Sequence, residues 1–295
     1  MPEWHDPVMV DEVLAYLPHR PDGVYVDGTT GTGGHSSAIL SKLGPKGRLI
    51  CVDQSEEALA AAQERLGERG RRAWFHRGSF SELDAPLAEL TEPRVDGILL
   101  DLGLNSWLLA LPSTGLSYQV DAPLTMRLDP DLPETAEGFL ARVSAQELEA
   151  IFREYGDLSR APLYARRIVE ARGRKRLRST SDLVTALAGG PHRGIDSAEL
   201  SRIFQALRVE INAEMERLDR FLERCADWIT TGGRLVIISY ASHEDRRVKR
   251  AFGPKGRDPR FIPLSKHPLA PTASEVERNR RARSAKLRAF ERGGQ

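Results

Sequence analysis

The stretch VYVDGTTGTGGHSSAIL, Val24 to Leu40, limits this chain more than any other. Val24–Val26 reads as an apolar strand and ends in Asp27. Gly28, Gly31, Gly33 and Gly34 follow, and Ser36 to Leu43 reads as a helix. Strand, glycine loop and helix in that order bring backbone against a nucleotide-like ligand in an α/β sheet. Glycine tolerates φ > 0 and has no Cβ to hold a ligand away. A second strand, Arg48–Val52, leads to Asp53, an acid placed to take two ribose hydroxyls.

The loop alone leaves three ligands open. The dinucleotide fingerprint G-x-G-x-x-G is met by Gly31 and Gly33, but its third place holds Ser36. No Gly-Lys-Ser/Thr follows, so a P-loop is excluded. S-adenosylmethionine (SAM) has a ribose for Asp53 and no pyrophosphate needing the full fingerprint. SAM, a dinucleotide and a purely structural turn therefore all remain.

Farther along, Ala73–His76 reads as a strand leading to Gly78-Ser79-Phe80, where Phe80 either lies against an adenine or fills core. Val95 to Gly103, VDGILLDLG, is the near-continuous apolar run of a strand covered on both faces. It carries Asp101 at its carboxyl end, where open α/β sheets bind ligands. Arg234–Tyr240 is another buried strand, and shorter ones are expected near Phe261 and over Ser284–Phe290.

Between these lies a different kind of sequence. Residues 111–133 are punctuated by proline and read as loop. Ser144-Ala-Gln-Glu147 is a capping box opening a helix over Ala145–Tyr155. Ile203, Leu207, Ile211, Met215, Leu218, Leu222, Cys225 and Ile229 recur at helical spacing and predict one long helix over 197–229, closed by Gly232-Gly233. The expected organisation is an α/β methyltransferase-type domain over 1–110 and 206–295, interrupted by an all-helical domain over 111–205.

The net charge is only +1, so nucleic-acid binding has to come from local clustering. Arg160 to Arg178 is such a cluster: Arg167, Arg172, Arg174, Lys175 and Arg176 are candidates for phosphate, Glu170 being the one acid within it. The bland alternative is a solvated helix face. Arg281 and Arg283 in RNRRARSAKLR form a second basic patch. Cys51 and Cys225 both fall on apolar faces and predict core, with no disulfide or metal site. The start has no signal-peptide pattern and no apolar run is long enough for a membrane span, so a cytoplasmic protein is expected.

The glycine stretch, DGILLDLG, YQVDAPLTMRLD, FQALRVEIN, GGRLVIIS and NRRARSAKLR occur together in this order. That set resembles the RsmH (MraW) family of SAM-dependent 16S ribosomal RNA cytidine N4-methyltransferases over nearly the whole chain. The resemblance implies a class I, Rossmann-like methyltransferase sheet with an inserted helical RNA-recognition domain. It implies SAM as cofactor, with contacts at Gly33, Gly34, His35, Asp53, Phe80 and Asp101. It also implies 16S rRNA or the small ribosomal subunit as partner; a homodimer stays an option. The chain departs from the family pattern where DLGVSSPQLD becomes DLGLNSWLLA, putting Leu108 for a glutamine and Trp107 for a proline. It departs again where ISFHSLEDR becomes ISYASHEDR. A SAM-binding RNA factor without transfer, or an enzyme for another RNA site, is therefore the alternative.

Cytosine N4 is a weak nucleophile because its lone pair is delocalised into the ring. Positioning can supply much of the acceleration, and an acceptor on the amine steadies the developing charge. Asp101 and Asn105 are the candidates for the amine. Trp107 and Tyr240 are the candidates for a plate that stacks the base, with Trp107 alternatively filling the hole left by the missing proline and glutamine. Methyl transfer needs no metal.

Overall fold

The computed structural model describes residues 6–91, 93–103, 106–190, 194–253, 256 and 258–294. In chain order the elements are α1 (Val10–Tyr16), β1 (Val24–Asp27), α2 (Gly34–Lys42), β2 (Arg48–Asp53), α3 (Glu56–Leu66), β3 (Ala73–Arg77), α4 (Asp84–Glu89) and β4 (Val95–Asp101). Helices α5 (Ser106–Ala110), α6 (Ala136–Arg142), α7 (Ala145–Gly156), α8 (Ala161–Arg174), α9 (Thr180–Ala188), α10 (Ser197–Ile211) and α11 (Glu214–Trp228) follow. The chain closes with β5 (Ile229–Ser239), α12 (Ser242–Phe252), β6 (Phe261–Pro263), α13 (Ala273–Arg278) and β7 (Lys286–Arg292).

The strands form a seven-stranded sheet in the order β3-β2-β1-β4-β5-β7-β6. The pairs from β3 through β5 are parallel, and β7 runs antiparallel to both β5 and β6. This is the α/β, Rossmann-like class the sequence predicts. The reversal of strand order on either side of β1 opens a crevice at the carboxyl ends of the strands, where such sheets take ligands. All four residues of β1 are buried, as is most of β4. One core cluster gathers Val13 and Leu17 of α1, Ile39 and Leu40 of α2, and Tyr25, Leu49, Leu99, Val236 and Leu287 of the sheet. Each fully buried aliphatic side chain there contributes on the order of 1.5–3 kcal/mol against exposure.

By its contacts the chain divides into two compact units, Met1–Asn105 with Glu216–Gln295, and Ser106–Met215. The second is helical. Its α7 opens on the capping box, Ser144 Oγ taking the Glu147 amide and the Glu147 carboxylate taking the Ser144 amide. A second box, Ser179 with Asp182, opens α9.

The single long helix over 197–229 is replaced by two. Helix α10 stops at Asn212, and Ala213 turns into the left-handed region at φ 48°. Asn212 makes the break: its Nδ2 donates to the carbonyls of Met126 and Arg208, and its Oδ1 accepts the Leu128 amide. Arg208 then pairs across the break with Glu214 at 2.7 Å. The apolar stripe misled because it resumes in phase, Ile211 and Met215 both being buried. Gly232-Gly233 does not end α11 either. Helix α11 finishes at Trp228, and the glycines lie within β5, where Thr230–Gly233 bulges between the Val95↔Ile229 and Gly97↔Arg234 pairs. Gly232 takes φ 77° there. Cys51 and Cys225 are both buried, as expected.

Candidate active site

Asp27, Asp53 and Asp101 end three neighbouring strands. Asp27 pairs in register with Cys51 of β2 and Leu99 of β4, so Asp53 and Asp101 each project past it on either flank. Two strand spacings separate those flanks, roughly 10 Å. The aspartates do not play equal parts. Asp27 is buried and turned inward: Ser36 Oγ donates to its Oδ2 at 2.6 Å and the Thr29 amide to its Oδ1. Burial raises its pKa, against the nearby His35 and the Ser36 hydroxyl. Ser36, the residue that breaks the dinucleotide fingerprint, is thus the partner of Asp27. Nothing in the spacing alone assigns it that task.

Asp53 is half-buried and holds the loop from the side. Its Oδ2 accepts the Gly31 amide at 2.8 Å and its Oδ1 accepts the Ser55 amide at 3.0 Å. Ser55 in turn caps α3 through the Ala58 amide. Burial raises the Asp53 pKa, opposed by these backbone donors. A carboxylate offers about four lone-pair sites, so acceptor capacity remains beyond these bonds.

Two loop glycines are required by the protein itself. A Cβ at Gly33, where φ is 78°, would lie 3.1 Å from Cβ of Ala62 on α3. A Cβ at Gly28 would stand 2.6 Å from Leu100 Cδ2 and 3.0 Å from Phe80 Cβ. Close packing of the loop on helix and strand is thus a further reason for glycine at both positions. Gly34 likewise has Pro7 beside it. Phe80 is half-buried, edge-to-face on Phe221 with centroids 5.8 Å apart.

Asp101 is anchored by its own amide, which donates to Thr29 Oγ1 at 2.7 Å. Its side chain faces His35 Nδ1 at 3.7 Å and accepts the Tyr240 hydroxyl. Burial raises its pKa, offset by His35 and Tyr240. His35 is buried on α2, its Nε2 2.8 Å from the Val8 carbonyl oxygen. Tyr240 lies just past β5, with its ring against Gly103, where an added Cβ would meet Tyr240 Cε2 at 2.6 Å. Its own titration is pushed far up by burial and by Asp101. The Glu244 carboxylate accepts the Tyr240 and Ala241 amides and fixes the turn. Tyr240 is therefore held by both ring and hydroxyl, which suits a support for Asp101 better than a free stacking plate. His243, on α12, is buried. Asn105 lies outside the described residues. Trp107 is half-buried on α5, in the helical unit, and Leu108 beside it is buried.

The basic run is less free than its composition suggests. Arg167 donates to the Leu187 carbonyl at 2.6 Å. Arg172 donates to the carbonyls of Leu140 at 2.7 Å and Val143 at 2.5 Å. Both guanidinium groups thus spend donors on holding the helical unit together. Lys175 pairs with Asp182 and Arg176 with Glu137 on the exposed surface. Arg174 is exposed with no partner among the described residues, and so is Arg283 in the sheet unit. Arg281 lies near enough to Tyr240 to feel its oxygen. Thr29, Ser36 and Glu244 are the residues sequence reasoning missed; the only signal for any of them is the serine in the fingerprint's third place.

A model of the MraW methylase family matches residues 3–293. The chain belongs to the MraW methylase family. Among curated relatives, the ribosomal RNA small subunit methyltransferase H of Sorangium cellulosum is 43% identical, over 99% of this chain and 92% of its own. Proteins of the same name from Thioalkalivibrio sulfidiphilus and Caldicellulosiruptor saccharolyticus are 40% and 39% identical over 98% of this chain, and 97% and 99% of theirs. The alignment to MraW methylases thus runs through the glycine loop, the helical unit and the carboxyl-terminal strands together. Among the described residues, no helix is long and apolar enough to cross a membrane and no cluster of His, Cys, Asp and Glu could hold a metal ion.

Proposed function

We propose that this MraW methylase transfers a methyl group from SAM to the N4 amine of a cytidine in 16S ribosomal RNA. The observation that carries the reading is family membership over residues 3–293 joined to a cradle whose two flanking carboxylates, Asp53 and Asp101, keep acceptor capacity beside the glycine loop. Bound SAM supplies an electrophilic methyl sulfonium. The donor set fits it: Asp53 has lone pairs for ribose hydroxyls, Phe80 an apolar half-exposed ring for adenine, and the Gly33–Gly34 backbone a close approach for the rest. His35, held by the Val8 carbonyl and facing Asp101, stands at the start of α2 beside these glycines. Asp101 is the acceptor for the cytidine amine, which orients its lone pair and steadies the charge that builds on nitrogen.

RNA is the polyanion expected to meet the exposed cations Arg174, Lys175 and Arg176 on the helical unit and Arg281 and Arg283 on the sheet unit. Trp107 is the remaining aromatic candidate for holding an unstacked base. A ribosomal RNA substrate implies a cytoplasmic location. The substitutions at Trp107 and Leu108 favour a second reading, a SAM-binding RNA factor without transfer. Incubating the protein with labelled SAM and unmodified small subunits separates the two: label on a 16S cytidine supports transfer. SAM binding by calorimetry with unlabelled RNA would leave only the second.

A further inference from the structure

Ionisable groups approach the Asp101 carboxylate from three elements. From the turn after β5, Tyr240 donates its hydroxyl. From α2, His35 presents Nδ1 at 3.7 Å from Oδ2. From β1, Asp27 is near enough to act on it through space. Tyr240 in turn has Glu244, Glu275 and Arg281 around it.

The contacts of His35 fix its ring. A carbonyl oxygen has only lone pairs, so Nε2, 2.8 Å from the Val8 oxygen, carries hydrogen, and Nδ1 is the atom left turned to the Asp101 carboxylate. The Tyr240 hydroxyl donates to that carboxylate, and a donor to a carboxylate favours its charged form.

We propose that Asp101 takes the proton that leaves the amine during methyl transfer, and that His35 and Tyr240 are positioning residues that keep it an oriented carboxylate until then. This rests on the reaction proposed above. In the step, the amine nitrogen forms its bond to the methyl carbon while the carbon–sulfur bond breaks and sulfur keeps that electron pair. The nitrogen then gives up a proton to a carboxylate oxygen of Asp101, so a neutral secondary amine is left. Burial makes the carboxylate a better proton acceptor than an exposed one. Solvent receives the proton once the product has left.

The test uses the full chain, wild type, Tyr240→Phe and His35→Asn, with carbon-13 in the aspartate carboxyls. Nuclear magnetic resonance from acid to neutral pH follows each carboxyl without SAM, and Asp101→Asn identifies the resonance. Loss of the Tyr240 donor is expected to move the Asp101 midpoint to higher pH, and loss of His35, which lowers it too, to move it in the same direction. With SAM and unmodified small subunits, Tyr240→Phe is expected to lower kcat about tenfold. The acid limb of its pH profile moves up with the midpoint, and KM for SAM is nearly unchanged. An Asp101 midpoint that stays put in Tyr240→Phe, a conservative variant, overturns the inference whether or not the wild type transfers methyl. A midpoint that moves while the kinetic limb does not also overturns it. A wild type that labels no RNA sinks the reaction instead, and the midpoint still decides the positioning pair.

Discussion

The Gly31 amide donates to Oδ2 of Asp53 at 2.8 Å, tying the middle of the glycine loop to the end of β2. One carboxylate therefore shapes the cradle and offers itself to a ligand. Asp53→Ala is expected to weaken SAM binding by about 1.5–3 kcal/mol, the worth of a hydrogen bond to a charged group. Calorimetry reads this directly, and an unchanged affinity would count against the ribose role.

Gly33 sits at φ 78° with Ala62 pressed against it. Gly33→Ala adds both backbone strain and a collision, for a loss of about 1–3 kcal/mol. Urea unfolding measures the loss. Pairing it with Ala62→Gly relieves the collision but not the strain, so partial recovery is expected; full recovery would mean that φ is not strained.

Arg172 and Arg174 stand two residues apart with opposite tasks. Arg172→Ala strips the Leu140 and Val143 carbonyls of their donor and is expected to cost about 1–3 kcal/mol of stability. Arg174→Ala should leave stability within about 0.5 kcal/mol and make RNA affinity less sensitive to salt. Equal salt slopes for wild type and Arg174→Ala would mean that the side chain merely faces solvent.

Asn212 is fully buried and serves Met126, Leu128 and Arg208 at once. Asn212→Ala orphans buried backbone groups and is expected to cost about 1–3 kcal/mol for each that water cannot reach. Circular dichroism should show little lost helix while the unfolding midpoint falls; a midpoint that holds would refute the bridging role.

Asp84 accepts Trp228 Nε1 at 2.9 Å and pairs with Arg224, and these bonds hold its carboxyl below the usual range, Trp228 contributing most. A depressed native pKa means that the native state favours the charged form. The contribution is present above the ordinary carboxylate pKa and lost as pH falls through the native one. Asp84→Asn should therefore flatten the acid side of the stability profile, read by Trp228 fluorescence, while Asp27 and Asp101, whose pKa values burial raises, act in the opposite sense.

The order of apolar runs, the glycine turn and the acids at strand ends belongs to the sequence by itself. These are short-range patterns, and a strand, a tight turn and a helix each declare themselves within a few residues. The Ser144 cap was legible for the same reason. Where the signal needed partners far along the chain, only the tertiary structure decided. Asn212 breaks a helix whose apolar period continues, because its amide is drawn to Met126 and Leu128. Arg167 and Arg172 read only as members of a basic run, and the fold alone shows carbonyls far along the chain taking their donors. Tyr240 reads as a plate until it is found against Gly103 with its hydroxyl on Asp101. Charge and aromaticity are properties of a residue, but what they do depends on which group the folded chain sets opposite them.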